Sequence, residues 1–207
     1  MIYFLGGAPR TGKSQLAKKI SKATGFSWLS TDNLRESVVN LESIPKSDQL
    51  FAHWISWKDE DYIEKTFSPS IQEIINNQKS ESKEVVKIVK GFVESISYNN
   101  RDFILEGVAL LPSFFDTSFI DKYQIKFICV GNTNFESFFE YSWNHRSEGD
   151  WLENSNRDIF KKVISYSSKF SELFRNEAKS YNYPYYEINS QTFKSDLDQI
   201  VKKLAKY

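Results

Sequence analysis

Gly7-Ala8-Pro9-Arg10-Thr11-Gly12-Lys13-Ser14 fits the pattern GxxxxGK[ST] without a gap and reads as a phosphate-binding loop. Before it runs Met1-Ile2-Tyr3-Phe4-Leu5, an apolar run of strand length, and after it comes Gln15-Leu16-Ala17-Lys18-Lys19-Ile20, whose apolar residues have helical spacing. Strand, glycine loop and helix are the setting this motif needs. Gly7 and Gly12 are expected to take positive φ and let the backbone approach an anion closely, so that successive N–H groups turn inward. The helix opening near Lys13 adds the positive end of its dipole. Lys13 supplies a mobile charge for the β and γ phosphates of a nucleotide, and the Ser14 hydroxyl is a ligand for a magnesium ion shared with it.

A chain of 207 residues suits one domain carrying an insertion, with a substantial core. Lys plus Arg equals Asp plus Glu at 27 each, so no overall field draws the protein to nucleic acid or anionic lipid, although a local basic groove stays open. The many aromatic residues fall mostly at periodic positions that a core would use. Cys129 stands alone in the apolar run Ile125 to Val130 and reads as a small hydrophobe. The first apolar run leads straight into the glycine loop with no basic region or cleavage-like site, and no stretch approaches the length of a membrane span. The expected compartment is the cytoplasm.

Further along, Ala23-Thr24-Gly25 looks like a helix end with a glycine cap, and Phe26-Ser27-Trp28-Leu29 a second strand. It delivers Ser30-Thr31-Asp32-Asn33-Leu34-Arg35, a polar cluster at a strand's carboxyl end, where ligands sit in open parallel sheets. If Asp32 caps the next helix, its carboxylate and the Arg35 guanidinium face one cleft; the plainer reading makes Asp32 or Thr31 only a helix cap. Residues 36–100 read as a helical insertion, broken at Pro45 and Pro69, with a polar stretch from Asn76 to Lys83. Its most regular part places Val85, Ile88, Val89, Phe92, Val93 and Ile96 on one helix face. His53, Trp54 and Trp57 line a pocket or close a helical lobe.

Phe103-Ile104-Leu105 forms a third strand that ends in Glu106-Gly107. A carboxylate in that position can hold magnesium, directly or through water, or orient a substrate hydroxyl. Gln124 to Val130 is a fourth strand. Apolar spacing from Phe135 to Trp143 marks a helix, and a charged segment at 143–157 suits a lid whose cations, from His145, Arg146 and Arg157, would cover a nucleotide. The plain alternative is a solvated turn between helices. A long amphipathic helix from Ile159 to Phe174, a fifth strand at Tyr183 to Ile188 and a last helix from Phe193 to Leu204 complete the chain.

Strands alternating with helices behind a phosphate loop give a parallel sheet with right-handed crossovers. The loop, the segment from Ser30 to Arg35 and Leu105-Glu106-Gly107-Val108, in this order and spacing, resemble the P-loop kinases of small molecules. The acid-x-x-Arg element after strand two resembles most the 2-phosphoglycerate-kinase-like and zeta-toxin or polynucleotide-kinase-like group. The resemblance implies an α/β three-layer P-loop NTPase fold over residues 1–207, a five-stranded parallel sheet in the order 2-3-1-4-5, ATP and Mg2+ as reactants, and a small-molecule acceptor under the helical insertion. It also implies that Asp32 takes the acceptor's proton and that Arg35 holds an anionic group of it. The catalytic set is then Lys13, Asp32, Arg35, Glu106 and Arg146. The loop from Gly7 to Ser14, with Arg157, holds the nucleotide, and Ser14 and Glu106 hold the metal. Two departures stand out: His145-Arg146 and Arg157 replace the arginine-rich lid of adenylate kinases, and Glu106 replaces the more usual Asp. A nucleoside-monophosphate kinase, a polynucleotide 5′-hydroxyl kinase and a non-catalytic or toxin-like nucleotide binder remain as alternatives to a metabolite kinase.

Overall fold

The computed structural model describes residues 1–39, 61–99, 101–146 and 150–204. Pro45, the His53, Trp54 and Trp57 segment, Asn100 and the centre of the charged segment at 147–149 lie outside the described residues. The elements run β1 (Ile2–Gly7), α1 (Lys13–Thr24), β2 (Ser27–Ser30), α2 (Thr31–Val39), α3 (Tyr62–Phe67) and α4 (Ile71–Tyr98). They continue with β3 (Phe103–Gly107), a 3-10 turn (Pro112–Phe114), α5 (Thr117–Lys122), β4 (Ile125–Gly131), α6 (Phe135–Asn144), α7 (Arg157–Ser180), β5 (Tyr185–Glu187) and α8 (Phe193–Leu204).

The five strands form one parallel sheet in the order β2-β3-β1-β4-β5. β1 is buried throughout, as a parallel strand covered on both faces must be, and its side chains alternate between two cores. Phe4 packs with Leu105, Phe127, Val89, Phe160, Phe170 and Phe174, a layer that α4 and α7 supply. Tyr3 and Leu5 pack with Ile104, Ile128, Leu16, Ile20 and Leu197 against α1 and α8. Helix–sheet–helix layering follows from this alternation.

Local chemistry sets the helix ends. Gly25 takes φ 79° and returns its N–H to the Ser21 carbonyl, ending α1. Pro69 stands just before α4, whose start is fixed by a capping box: the Ser70 hydroxyl accepts from Glu73 N–H, and Glu73 accepts from the Ser70 N–H. The polar stretch 76–83 continues inside α4, because Ile74, Val85, Val86, Val89, Val93 and Ile96 keep a buried stripe on one side of it. All five strands differ at their ends from the sequence reading, and β1 runs on through Gly6 and Gly7. β3 extends through Glu106 and Gly107, and β5 is shorter than the run from Tyr183 to Ile188. Among the described residues no helix is long and apolar enough to cross a membrane.

Candidate active site

Parallel register aligns the carboxyl ends of three strands. Leu5 and Ser30 both lie opposite Glu106, and Gly6 lies opposite Gly107. The loop after β1, the first turn of α2 and the end of β3 therefore meet on one edge of the sheet.

Within the loop, positive φ falls on Arg10 (62°) and Gly12 (85°). Gly7 does not take it, which corrects the expectation from the motif. Gly7 closes β1, and it must lack a side chain because a Cβ there would stand 2.3 Å from the Val130 carbonyl oxygen. Gly12 has both constraints, since its missing Cβ would also stand 2.7 Å from the Phe193 ring at the start of α8. The Ala8 carbonyl accepts two hydrogen bonds, from Thr11 Oγ1 and from Lys13 Nζ, each at 2.7 Å. Lys13 is thus folded into the loop and buried. Burial lowers its pKa, against the carboxylates of Glu106 and Asp32, which favour the charged form.

Ser14 Oγ donates to Glu106 Oε1 at 2.9 Å. Glu106 is 3% exposed. Burial raises its carboxyl above the ordinary range, opposed by the Lys13 ammonium and the Ser14 hydroxyl. A magnesium ion in phosphoryl-transfer sites takes one or two protein oxygens and completes its shell with phosphate and water. Ser14 Oγ and the Glu106 carboxylate are two such hard donors side by side, so the residues present fit that ion. Among the described residues no group of three or more His, Cys, Asp or Glu forms a self-sufficient metal cage.

Asp32 lies exposed in the first turn of α2. It does not cap that helix: the Ser30 hydroxyl accepts from the Asp32 N–H at 3.2 Å and satisfies the free backbone donor. Asp32 is within electrostatic reach of Lys13 and Glu106 on the loop side and of Arg35 and Glu81 on the other. Its helix is seated by Thr31, 1% exposed, whose Oγ1 fills the place a Cβ on Gly107 would take, 1.7 Å away.

Arg35 points its guanidinium at two carboxylates, Glu81 at 2.5 Å and Glu36 at 3.0 Å. Burial works against the charged guanidinium, but Glu81 and Asp32 outweigh it and its pKa is raised. Glu81, in the middle of α4, escaped the sequence reading. Its only trace there is a carboxylate one turn ahead of Val85 on the buried stripe.

A cleft of about 500 Å3 opens beside the loop, lined by Arg10 to Gln15, by Phe138, Tyr141 and His145 at the end of α6, and by Asp150, Ser190, Phe193 and Lys194. Arg10 clamps Asp150 through two bonds of 2.7 and 2.8 Å. Asp150 also accepts from the Leu152 N–H at 3.0 Å. Burial pushes the Asp150 carboxyl up, but the Arg10 and Leu152 hydrogen bonds prevail and hold it below its ordinary value. The His145 ring stacks on Tyr141 with centroids 4.0 Å apart. Arg146 lies 3.5 Å over the Trp143 ring and bonds the Trp143 carbonyl. Arg157 is exposed, 5.4 Å from both Phe139 and Trp143. Neither lines the cleft. The cations along it are Arg10, Lys13 and Lys194, with the titratable His145 beside them; Lys194 and Asp150 went unread in the sequence.

No protein-family profile matches the chain, and no curated protein matches it by sequence. Solved structures do. Deoxyadenosine kinase from M. mycoides with bound dATP is similar over 99% of this chain and 99% of that one, at 14% identity and a TM-score of 0.50. An unliganded sugar kinase from Janibacter sp. is similar over 98% of this chain and 93% of that one, at 11% identity and a TM-score of 0.50. The chain has the P-loop kinase fold. The expected sheet order 2-3-1-4-5 is the one observed, and its parallel register brings the loop, Glu106 and the start of α2 to the carboxyl edge of the sheet.

Proposed function

We propose that the protein is an ATP-dependent phosphotransferase that moves the γ-phosphoryl group to a hydroxyl of a small metabolite. The observation that carries this reading is the meeting of three parts: Lys13 in the loop, the Ser14–Glu106 bond and Asp32 in the first turn of α2. Lys13 and the loop N–H groups neutralise the phosphates of the nucleotide. Asp32 accepts the proton of the acceptor hydroxyl as its oxygen bonds to the γ phosphorus and the bond to the β-γ bridging oxygen breaks. ADP leaves with that oxygen. Ser14 and Glu106 would hold a magnesium ion, which would supply charge neutralisation for the phosphates.

The cleft lined by Tyr141, His145, Phe193 and Lys194 takes the nucleoside end of ATP, with an apolar wall for a base and polar groups at its rim. Arg10 lines the cleft beside the loop, with its guanidinium held by Asp150. Arg146 and Arg157 would have to leave the Trp143 face to act there. On this reading α2 and α4 stand over the acceptor. The narrower likeness to the 2-phosphoglycerate-kinase-like group rests on the Asp32-x-x-Arg35 spacing alone. A screen of metabolite hydroxyls, nucleotides and short oligonucleotides for acceptor-dependent ADP release tests the reading. Release with small hydroxyl compounds supports it. Nucleotide binding without release for any acceptor would make the protein a non-catalytic binder.

A further inference from the structure

On the phosphotransferase reading, the acceptor side of the site is lined by carboxylates that engage Arg35. Among the described residues that interact with Asp32 on that side the cation is Arg35, and it is already engaged. Glu81 and Glu36 hold its guanidinium at 2.5 and 3.0 Å, with the Arg35 side chain 18% exposed and those of its partners 12% and 22%. Asp32 adds a third carboxylate within electrostatic reach of that guanidinium. Arg35 cannot shed its proton, so its guanidinium is committed to Glu81, although burial raises the Glu81 carboxyl against that pairing. Two phenols complete the neighbourhood. Tyr62 and Tyr166 both lie within electrostatic reach of Glu81 and Asp32, and Tyr166 Oη donates to Gln78 Oε1 at 3.4 Å.

We infer that Glu81 is the residue that sets the class of acceptor. By occupying Arg35 it removes the charge that would receive a phosphate or carboxylate, so the acceptor is a hydroxyl compound that carries no anionic group: a polyol, a nucleoside or an amino alcohol. The inference rests on the phosphotransferase reading and departs from the expectation that Arg35 grips an anion. An incoming anion would have to displace Glu81 from a partly buried ion pair and leave that carboxylate uncompensated, whereas the exposed Asp32 carboxylate and the part-exposed Tyr62 phenol can hydrogen-bond a neutral or cationic hydroxyl compound directly.

Matched acceptors that differ only in charge provide the test: a free pentose and its 5-phosphate, a nucleoside and its 5′-monophosphate, an amino alcohol and the hydroxy acid of the same length. With ATP and magnesium present, turnover is measured as kcat/KM, and binding of each compound to the ADP-loaded protein by calorimetry. The expected result is that the uncharged or cationic member of each active pair is favoured by at least about tenfold. Glu81→Gln narrows or reverses that preference, and its thermal unfolding midpoint reports whether the fold survives. Glu36→Gln, at the more exposed partner, shifts the preference the same way and serves where Glu81→Gln does not fold. Preference for the anionic members in the wild type overturns the inference while leaving the kinase reading intact. Absence of both turnover and binding for every uncharged and cationic member also overturns it. Loss of ATP binding itself would instead strike the underlying reading.

Discussion

Ser14 and Glu106 stand 92 positions apart in the chain and share a 2.9 Å hydrogen bond that joins the phosphate loop to the neighbouring strand β3. The bond exists because β1 and β3 are adjacent and parallel, with Leu5 opposite Glu106. It places a hydroxyl and a buried carboxylate together where a nucleotide's phosphates would lie. Burial holds the Glu106 carboxyl above its ordinary value of 4.5. If its ionised form is required, kcat/KM falls on the acid side with a midpoint above that value, since the profile reports groups of the free enzyme. Glu106→Gln removes this limb and lowers kcat by about a hundredfold or more. A limb unchanged in the variant would assign it to another group.

Asp32 separates chemistry from nucleotide binding. Asp32→Asn keeps the size and position of the side chain but accepts no proton, so acceptor-dependent transfer should drop by about 10²- to 10⁴-fold. ATP affinity by calorimetry should stay within a few-fold, because the loop contacts are untouched. Equal losses in both measurements would place Asp32 in nucleotide binding.

Gly107 and Thr31 fix the position of α2. A methyl group at Gly107 would overlap Thr31 Oγ1 and Cβ, so Gly107→Ala should destabilise the protein by about 1–3 kcal/mol and reduce transfer by displacing Asp32. Thr31→Ala removes the closest obstacle. In a double-mutant cycle of unfolding free energies the two changes should couple, with the double variant less destabilised than the sum of the singles. Additive effects would show that α2 is seated by other contacts.

The Arg10–Asp150 clamp has a defined pH signature. Its hydrogen bonds depress the Asp150 carboxyl below the ordinary 3.8. A depressed carboxyl contributes stability that is present above the unfolded value and is lost as pH falls through the folded one. Asp150→Asn should therefore cost about 1–3 kcal/mol at neutral pH, and the difference from wild type should shrink only below pH 3.8. Thermal unfolding across the acid range checks this. A difference that already vanishes near neutrality would contradict the clamp.

Features carried by local chemistry were legible in the sequence, and those made by distant contacts were not. The loop announces itself through residue types at fixed spacing, and Glu106 through its place at the end of an apolar strand. Alternation of strand and helix, with the family likeness, was enough to anticipate the sheet order. Glu81 stayed hidden because its pairing with Arg35 spans 46 positions and depends on how α4 lies against α2. Asp150 meets Arg10 across 140 positions. Arg146 and Arg157 read as lid cations; the Arg146 guanidinium lies 3.5 Å over the Trp143 ring, and Arg157 lies 5.4 Å from it beside Glu140, contacts that no spacing rule encodes. The glycine reading erred for a related reason: the motif gives Gly7 and Gly12 the same symbol, while the neighbouring Val130 backbone constrains one and φ the other.

Calorimetric titration of the wild-type protein and Lys13→Ala with ATP in the presence of magnesium tests the central claim most directly. Saturable binding to the wild type is expected, weakened at least about tenfold in Lys13→Ala, because that change deletes the loop's buried ammonium. No measurable binding to the wild type, or the same affinity in both proteins, would contradict a phosphate-binding role for the loop and with it the proposed phosphoryl transfer.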